Sequence, residues 1–127
     1  MIGAPALLLL LAAQAGTPSG PPADWTVLVP LPWKAPPHIS PDIADFVDEE
    51  VRAGRCTLPG DRPEAMTVDL AVNTRGNGTL RSVVPRAIGC PTVEQFAVGL
   101  IYSMARGNLR RTGTGWYHAQ LVFPLTQ

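Results

Sequence analysis

Two cysteines, two histidines and one acidic run are the residues of this chain best equipped for chemistry. Cys56 lies in "RAGRCTLP" and Cys90 in "AIGCPTVE". Neither flank makes a C-x-x-C motif, so thiol catalysis is not expected. Bonded to each other, they would close a loop of about 35 residues and contribute about 3.5–4 kcal/mol in the loop-entropy model. The other reading is two unpaired thiols. Two cysteines alone cannot build a structural zinc site. His38 falls in a proline-rich loop and His118 on the outward face of a strand, each without a carboxylate or cysteine pattern beside it. No metal site is expected from them. The run "DEE" (Asp48 to Glu50) reads as the solvated face of a helix rather than a carboxylate pair. There is no G-x-S-x-G, H-E-x-x-H or phosphate-cradling glycine loop, and no nucleophile–base pair. The expectation is a protein that is not an enzyme, with no cofactor and no small-molecule substrate.

The composition sets the frame for these residues. The chain has 127 residues, formal net charge +0, 46% hydrophobic residues and 16% charged residues. That suits one globular domain and argues against a nucleic-acid partner or a basic membrane tether. The opening "MIGAPALLLLLAAQAG" carries an apolar core from Leu7 to Ala13, and "AQA" fits a small-x-small cleavage site. A bilayer span needs about 20 apolar residues, so residues 1–15 read as a signal peptide and the chain as exported to the periplasm. The alternative is an inner-membrane location through an uncleaved N-terminus. Export would favour the Cys56–Cys90 disulfide.

Residues 16–37 form a proline-rich lead segment. Eight of the 14 prolines lie between Gly16 and Asp42. Within this lead, "WTVLVPLPW" places Trp25, Val27, Val29, Leu31 and Trp33 on one parity, and Pro30 and Pro32 on the other. As a strand, both missing N–H groups would face one side, leaving the other edge free to pair. As a polyproline-like linker, it would have no partner.

A folded domain is expected over residues 38–127. "SPDIADFVDEEVRAG" reads as a helix with Ser40 as N-cap, Pro41 in the first turn, an apolar stripe of Ile43, Phe46, Val47 and Val51, and Gly54 as stop. "MTVDLAVNT" alternates as a half-buried strand. Asn77-Gly78 signals a hairpin, with positive φ tolerated at both residues; Asn77-Gly78-Thr79 is also a glycosylation sequon. The return strand "TLRSVVPRAI" slips its alternation near Val83-Val84, where a bulge is expected. Thr92 and Gln95 suit a capping box for a helix carrying Val93, Phe96, Ala97, Leu100, Ile101 and Met104. Gly99 inside that helix suggests a close packing contact. "WYHAQLVFPL" closes the chain, with Tyr117, Ala119, Leu121, Phe123 and Leu125 on one face and Trp116, His118, Gln120 and Val122 on the other.

The expected fold is α+β, a small antiparallel three-stranded sheet with helices on one face in the order α-β-β-α-β. The last strand lies at the sheet's edge, where its main-chain groups could accept another strand, either from a partner or from the chain's own "WTVLVPLPW" (residues 25–33).

The stretch "VDLAVNTRGNGTLRSVVPRAIGCPTVEQFAVGLI", followed by "GWYHAQLVFPL", resembles a TonB C-terminal domain. Gly89-Cys90-Pro91 matches the family's glycine-x-proline entry to its helix, and the likeness runs roughly from Pro36 to Leu125. The resemblance implies a periplasmic binding module that recognises an extended peptide of an outer-membrane transporter by strand addition, in the service of transport. It places the partner-binding edge at Trp116, Tyr117, His118, Ala119, Gln120, Leu121, Val122 and Phe123, with Tyr117, His118 and Gln120 adding selectivity. "MARGNLRR" stands where the family is aromatic-rich, and residues 7–13 are too short for a membrane-spanning anchor. The resemblance therefore carries strand binding rather than force transmission. The alternative is a structural or interaction protein of the envelope with this fold and no transporter partner. An open edge also admits a second copy, giving a homodimer.

Overall fold

The computed structural model describes residues 20–58 and 63–126. The expected signal peptide, and the centre of the turn-rich loop "LPGDRPE", lie outside them. The elements in order are a 3-10 turn at Trp25–Val27, β1 (Val29–Pro30), α1 (Pro41–Arg52), β2 (Ala65–Thr74), β3 (Leu80–Pro85), α2 (Pro91–Ala105) and β4 (Gly115–Pro124). The fold is α+β. Its sheet runs β1-β4-β2-β3, with β2 antiparallel to both β3 and β4, and β1 parallel to β4. The sheet is thus mixed and four-stranded, not the three-stranded antiparallel sheet expected. The added strand comes from the proline-rich lead. Leu31 donates its N–H to the His118 carbonyl at 2.7 Å. By the strand's period of two, Pro30 and Pro32 turn their N–H-less edge outward. Trp25 to Val27 turn in 3-10 geometry instead of extending the strand, and Val27 and Val29 are 65% and 57% exposed.

One face of the sheet carries the core. Met66, Val68, Leu70 and Val72 of β2 lie beside Phe123, Leu121, Ala119 and Tyr117 of β4 in register. Against them pack Val93, Ala97 and Ile101 of α2 and Val47 of α1, all fully buried. Each such aliphatic side chain contributes about 1.5–3 kcal/mol by leaving water. Phe96 bridges the layers, with ring centroids 4.3 Å from Phe46 and 6.2 Å from Phe123.

Local signals set the element ends, with five departures from expectation. Ser40 accepts from the Ile43 N–H and Pro41 opens α1, as its sequence requires. Asp48, expected in solvent with the rest of "DEE", is buried. Its carboxylate accepts from the N–H and hydroxyl of Thr126 and meets the Arg52 guanidinium at 3.1 Å, so the run past β4 folds back onto α1. α2 begins at Pro91, one residue before Thr92, so Thr92 cannot be its N-cap. Glu94 instead accepts from the N–H groups of Ile88 and Cys90, and Thr92 donates to Glu50.

The hairpin has positive φ at Gly76 and Gly78 while Asn77 keeps negative φ, its side-chain oxygen accepting from the Thr79 N–H. The register slips between Asn73 and Thr74, opposite Arg81, rather than at Val83–Val84. The extra residue is Arg81, in the return strand but at its start beside the turn. Gly99 faces open space, with nothing within 4 Å of a Cβ there, so no packing contact explains it.

Cys56 and Cys90 form a disulfide that ties the chain after α1 to the entry of α2. Thr57 donates its N–H to the Gly89 carbonyl at 2.8 Å beside it. Gly89 has φ +77, and a Cβ there would lie 2.9 Å from the Thr57 carbonyl oxygen. Only glycine fits this corner.

Candidate strand-binding edge

β4 pairs with β2 through ten residues without a break in register, and its two edges differ. Leu70, Val68 and Met66 of β2 lie opposite Ala119, Leu121 and Phe123. The Asp69 carbonyl accepts from the Arg86 N–H on the β3 side. Residues of β2 with Asp69's parity therefore bond toward β3, and Leu70 and its parity bond toward β4. It follows that Tyr117, Ala119, Leu121 and Phe123 spend their main-chain groups on β2. The groups of Trp116, His118, Gln120 and Val122 point to the other edge. β1 pairs only with Tyr117 and His118 along it. Beyond His118, the N–H and C=O of Gln120 and Val122 have no ladder partner among the described residues. Pro124 ends this open stretch, having no N–H to place on it.

The lead segment leaves the edge at its other end. Leu31 is buried in the core, and the Lys34 N–H donates to the Asn108 carbonyl. The Asn108 side chain accepts from the Ala35 N–H and donates to its carbonyl. The Arg110 N–H reaches the Pro32 carbonyl, and Trp33 bridges Leu109. Residues 31–35 are therefore clamped, whereas β1 itself is held by a short parallel ladder.

The side chains of the expected edge divide between two faces. Ala119, Leu121 and Phe123 are buried in the core. Tyr117 also points inward, half-buried, and its hydroxyl donates to the Gly113 carbonyl at 3.1 Å. Trp116, His118, Gln120 and Val122 share the outer face, where Val122 is 44% exposed. His118 Nε2 lies 2.9 Å from Asp69 Oδ1, and the Gln120 amide donates to the same oxygen at 3.1 Å. Partial burial works against ionisation of Asp69. The hydrogen bonds from His118 and Gln120, with the nearby charges of His118 and Arg86, outweigh it and hold the carboxyl below its usual range. The carboxylate in turn fixes a proton on Nε2.

Sequence reasoning placed His118 outward but missed Asp69 as its partner. The signal was present: both residues fall on outward parities. What alternation lacks is register, and the observed pairing of Ala71 with His118 makes Asp69 the diagonal neighbour. It also missed Arg86 and Trp25. The Arg86 guanidinium sits 4.7 Å from the Trp25 ring centroid, so the lead segment crosses the outer face before joining β4. Between them lies a cleft of about 270 Å³ lined by Trp25, Thr26, Leu28, Asp69, Arg86 and His118.

Among the described residues, no cluster of three or more metal-ligating side chains occurs, and no helix is long and apolar enough to cross a membrane. The arrangement brings the Thr26 hydroxyl, which donates to Asp24, into the same cleft as the His118–Asp69 pair. What it offers is a strand edge with free donors and acceptors, flanked by an imidazole, an amide and an isopropyl group. No family model, no curated protein and no solved structure matches the chain.

Proposed function

We propose that this protein is a TonB-like binding module of the cell envelope that takes an extended peptide as an added strand on the outer edge of β4. The observation that carries the reading is the unpaired main chain of Gln120 and Val122, in line with a neighbouring stretch that already accepts a strand from the lead segment. Main-chain hydrogen bonds supply affinity in this mode, and side chains flanking the edge supply choice. An incoming peptide would pair first at Gln120 and Val122 and then compete with β1 at Tyr117 and His118. The peptide segment of an outer-membrane transporter is the partner that the TonB resemblance implies. The disulfide is consistent with an exported protein, and the periplasm is the compartment this reading requires.

One observation favours the second reading, a structural envelope protein without a transporter partner. The lead segment already occupies part of the edge in the free chain. Titrating the full chain with an extended transporter peptide, followed by NMR, separates the two. Shifts confined to Trp116 through Phe123 and to β1 support strand addition. Silence along β4 at saturating peptide leaves the structural role.

A further inference from the structure

The net charge is zero, yet the charges do not balance in place. The hairpin 75–79, the loop 106–114 and the clamped residues 31–35 meet at one end of the sheet. This end carries Lys34, Arg75, Arg81, Arg106, Arg110 and Arg111, all exposed, and no Asp or Glu occurs in residues 31–36, 75–81 or 102–112. None of these six cations forms an ion pair among the described residues. At the opposite end, the Asp48 carboxylate meets Arg52 and that of Glu50 meets Arg55. The three segments are packed together. The Lys34 N–H donates to the Asn108 carbonyl, and a Cβ on Gly76 would touch Thr114. Two grooves flank the hairpin. One of about 520 Å³ runs between Gly76–Gly78 and Leu109–Thr112 and includes Arg110 and Arg111. The other, of about 210 Å³, lies between Gly78–Leu80 and Tyr102–Gly107 and includes Arg106.

We infer that this end of the molecule docks on an anionic membrane surface, with the arginines engaging lipid phosphates. Five of the six cations are arginines, whose planar guanidinium pairs with phosphate through two parallel hydrogen bonds. The six cations are spread over three chain segments, and Arg106, Arg110 and Arg111 line the two open grooves. That suits many phosphates in a plane rather than one small anion in an enclosed cavity. Clusters of four to eight Lys and Arg are the pattern that anionic leaflets attract. A single-stranded nucleic acid would want aromatic rings interleaved with the charges. Of the rings at this end, Trp33 and Tyr117 pack against the core, and Trp116 lies on the outer face of β4, which leaves Tyr102 alone among the charges. In this orientation β4 runs away from the surface, because it starts at Gly115 beside the basic end. The open edge at Gln120 and Val122 then stands clear. The inference does not depend on the strand-addition reading.

The test is sedimentation of the full chain with vesicles of phosphatidylcholine alone and of phosphatidylcholine mixed equally with phosphatidylglycerol. The apolar N-terminus is common to every variant, so the readout is the difference between the two lipids. Binding should prefer the anionic vesicles and weaken steeply with salt. Each cation removed should cost about fivefold, so the R110Q/R111Q variant should lose roughly 25–30-fold of that preference. An unchanged thermal melt confirms that the variant is folded. R52Q/R55Q, altered at the other end, should keep the preference. Equal binding to both lipids overturns the inference, as does an equal loss in R52Q/R55Q. Tighter retention by single-stranded DNA or by an acidic peptide than by anionic vesicles, lost in R110Q/R111Q, also overturns it in favour of that partner.

Discussion

Leu31 donates its main-chain N–H to the carbonyl of His118 at 2.7 Å while its own side chain sits 3% exposed in the core. One residue thus ends the lead segment's strand and anchors it. Val29, two residues earlier, is paired with Tyr117 but 57% exposed. Leu31→Ala should cost about 2–4 kcal/mol through the cavity it leaves. Val29→Ala should stay within about 0.5 kcal/mol. Chemical denaturation of both variants checks the contrast.

β1 should yield to a competitor without loss of the fold. Val29 shares Leu31's parity, so its N–H faces β4, and Leu28 is already extended at φ −77 and ψ 131, which a following proline tolerates. Val29→Pro removes that donor. The variant should bind an extended peptide more tightly than the parent while melting within a few degrees of it, as calorimetric titration and a thermal scan would read. Deleting the lead through Lys34 is a different experiment, because it also takes Leu31 out of the core.

The Asp69 cluster gives a pH signature. Its carboxyl is depressed in the folded state, so the stability it contributes is present above the unfolded value of about 3.9 and is lost as pH falls through the lower folded value. Asp69→Asn should therefore be less stable than the parent at neutral pH, by less than about 1 kcal/mol because the site is partly solvated. The difference should vanish at acid pH. Urea midpoints for both proteins across that range provide the check.

Two glycine substitutions should move stability in opposite directions. Gly89→Ala drives a Cβ against the Thr57 carbonyl from a positive-φ position and should cost about 2 kcal/mol or more. Gly99→Ala meets open space on a helix and should gain about 0.5–1 kcal/mol. Thermal melts of the two variants decide the matter.

The Cys56–Cys90 bond should be present in oxidised protein as a mass lower by two hydrogens. A Cys56→Ser/Cys90→Ser variant should lose about 3–4 kcal/mol, the amount expected for a loop of this length. Intact mass and denaturation of the variant test both statements.

Much of this fold was legible because period and punctuation agree in the sequence. The alternation of Met66 through Val72 and of Tyr117 through Phe123 marks two strands with one buried face, and Ser40-Pro41 marks a helix start. What stayed illegible needed partners distant in sequence. Asp48 looks like surface until Thr126 folds over it. Asp69 looks like an ordinary outward residue until register sets it beside His118. The prolines of the lead segment showed which edge was blunt and left the other free to cover β4, but not that only Val29 and Pro30 would pair there. The basic end was hidden because zero net charge conceals separation, and Lys34, Arg81 and Arg110 are far apart in the chain.

Amide hydrogen exchange along β4 tests the central claim most directly. In the free protein, the Gln120 and Val122 amides should exchange fast while Leu121, bonded to β2, exchanges slowly. With the extended peptide bound, Gln120 and Val122 should slow to match it. Protection of both amides before any peptide is added, or fast exchange that persists at saturation, would contradict an open edge that accepts a strand.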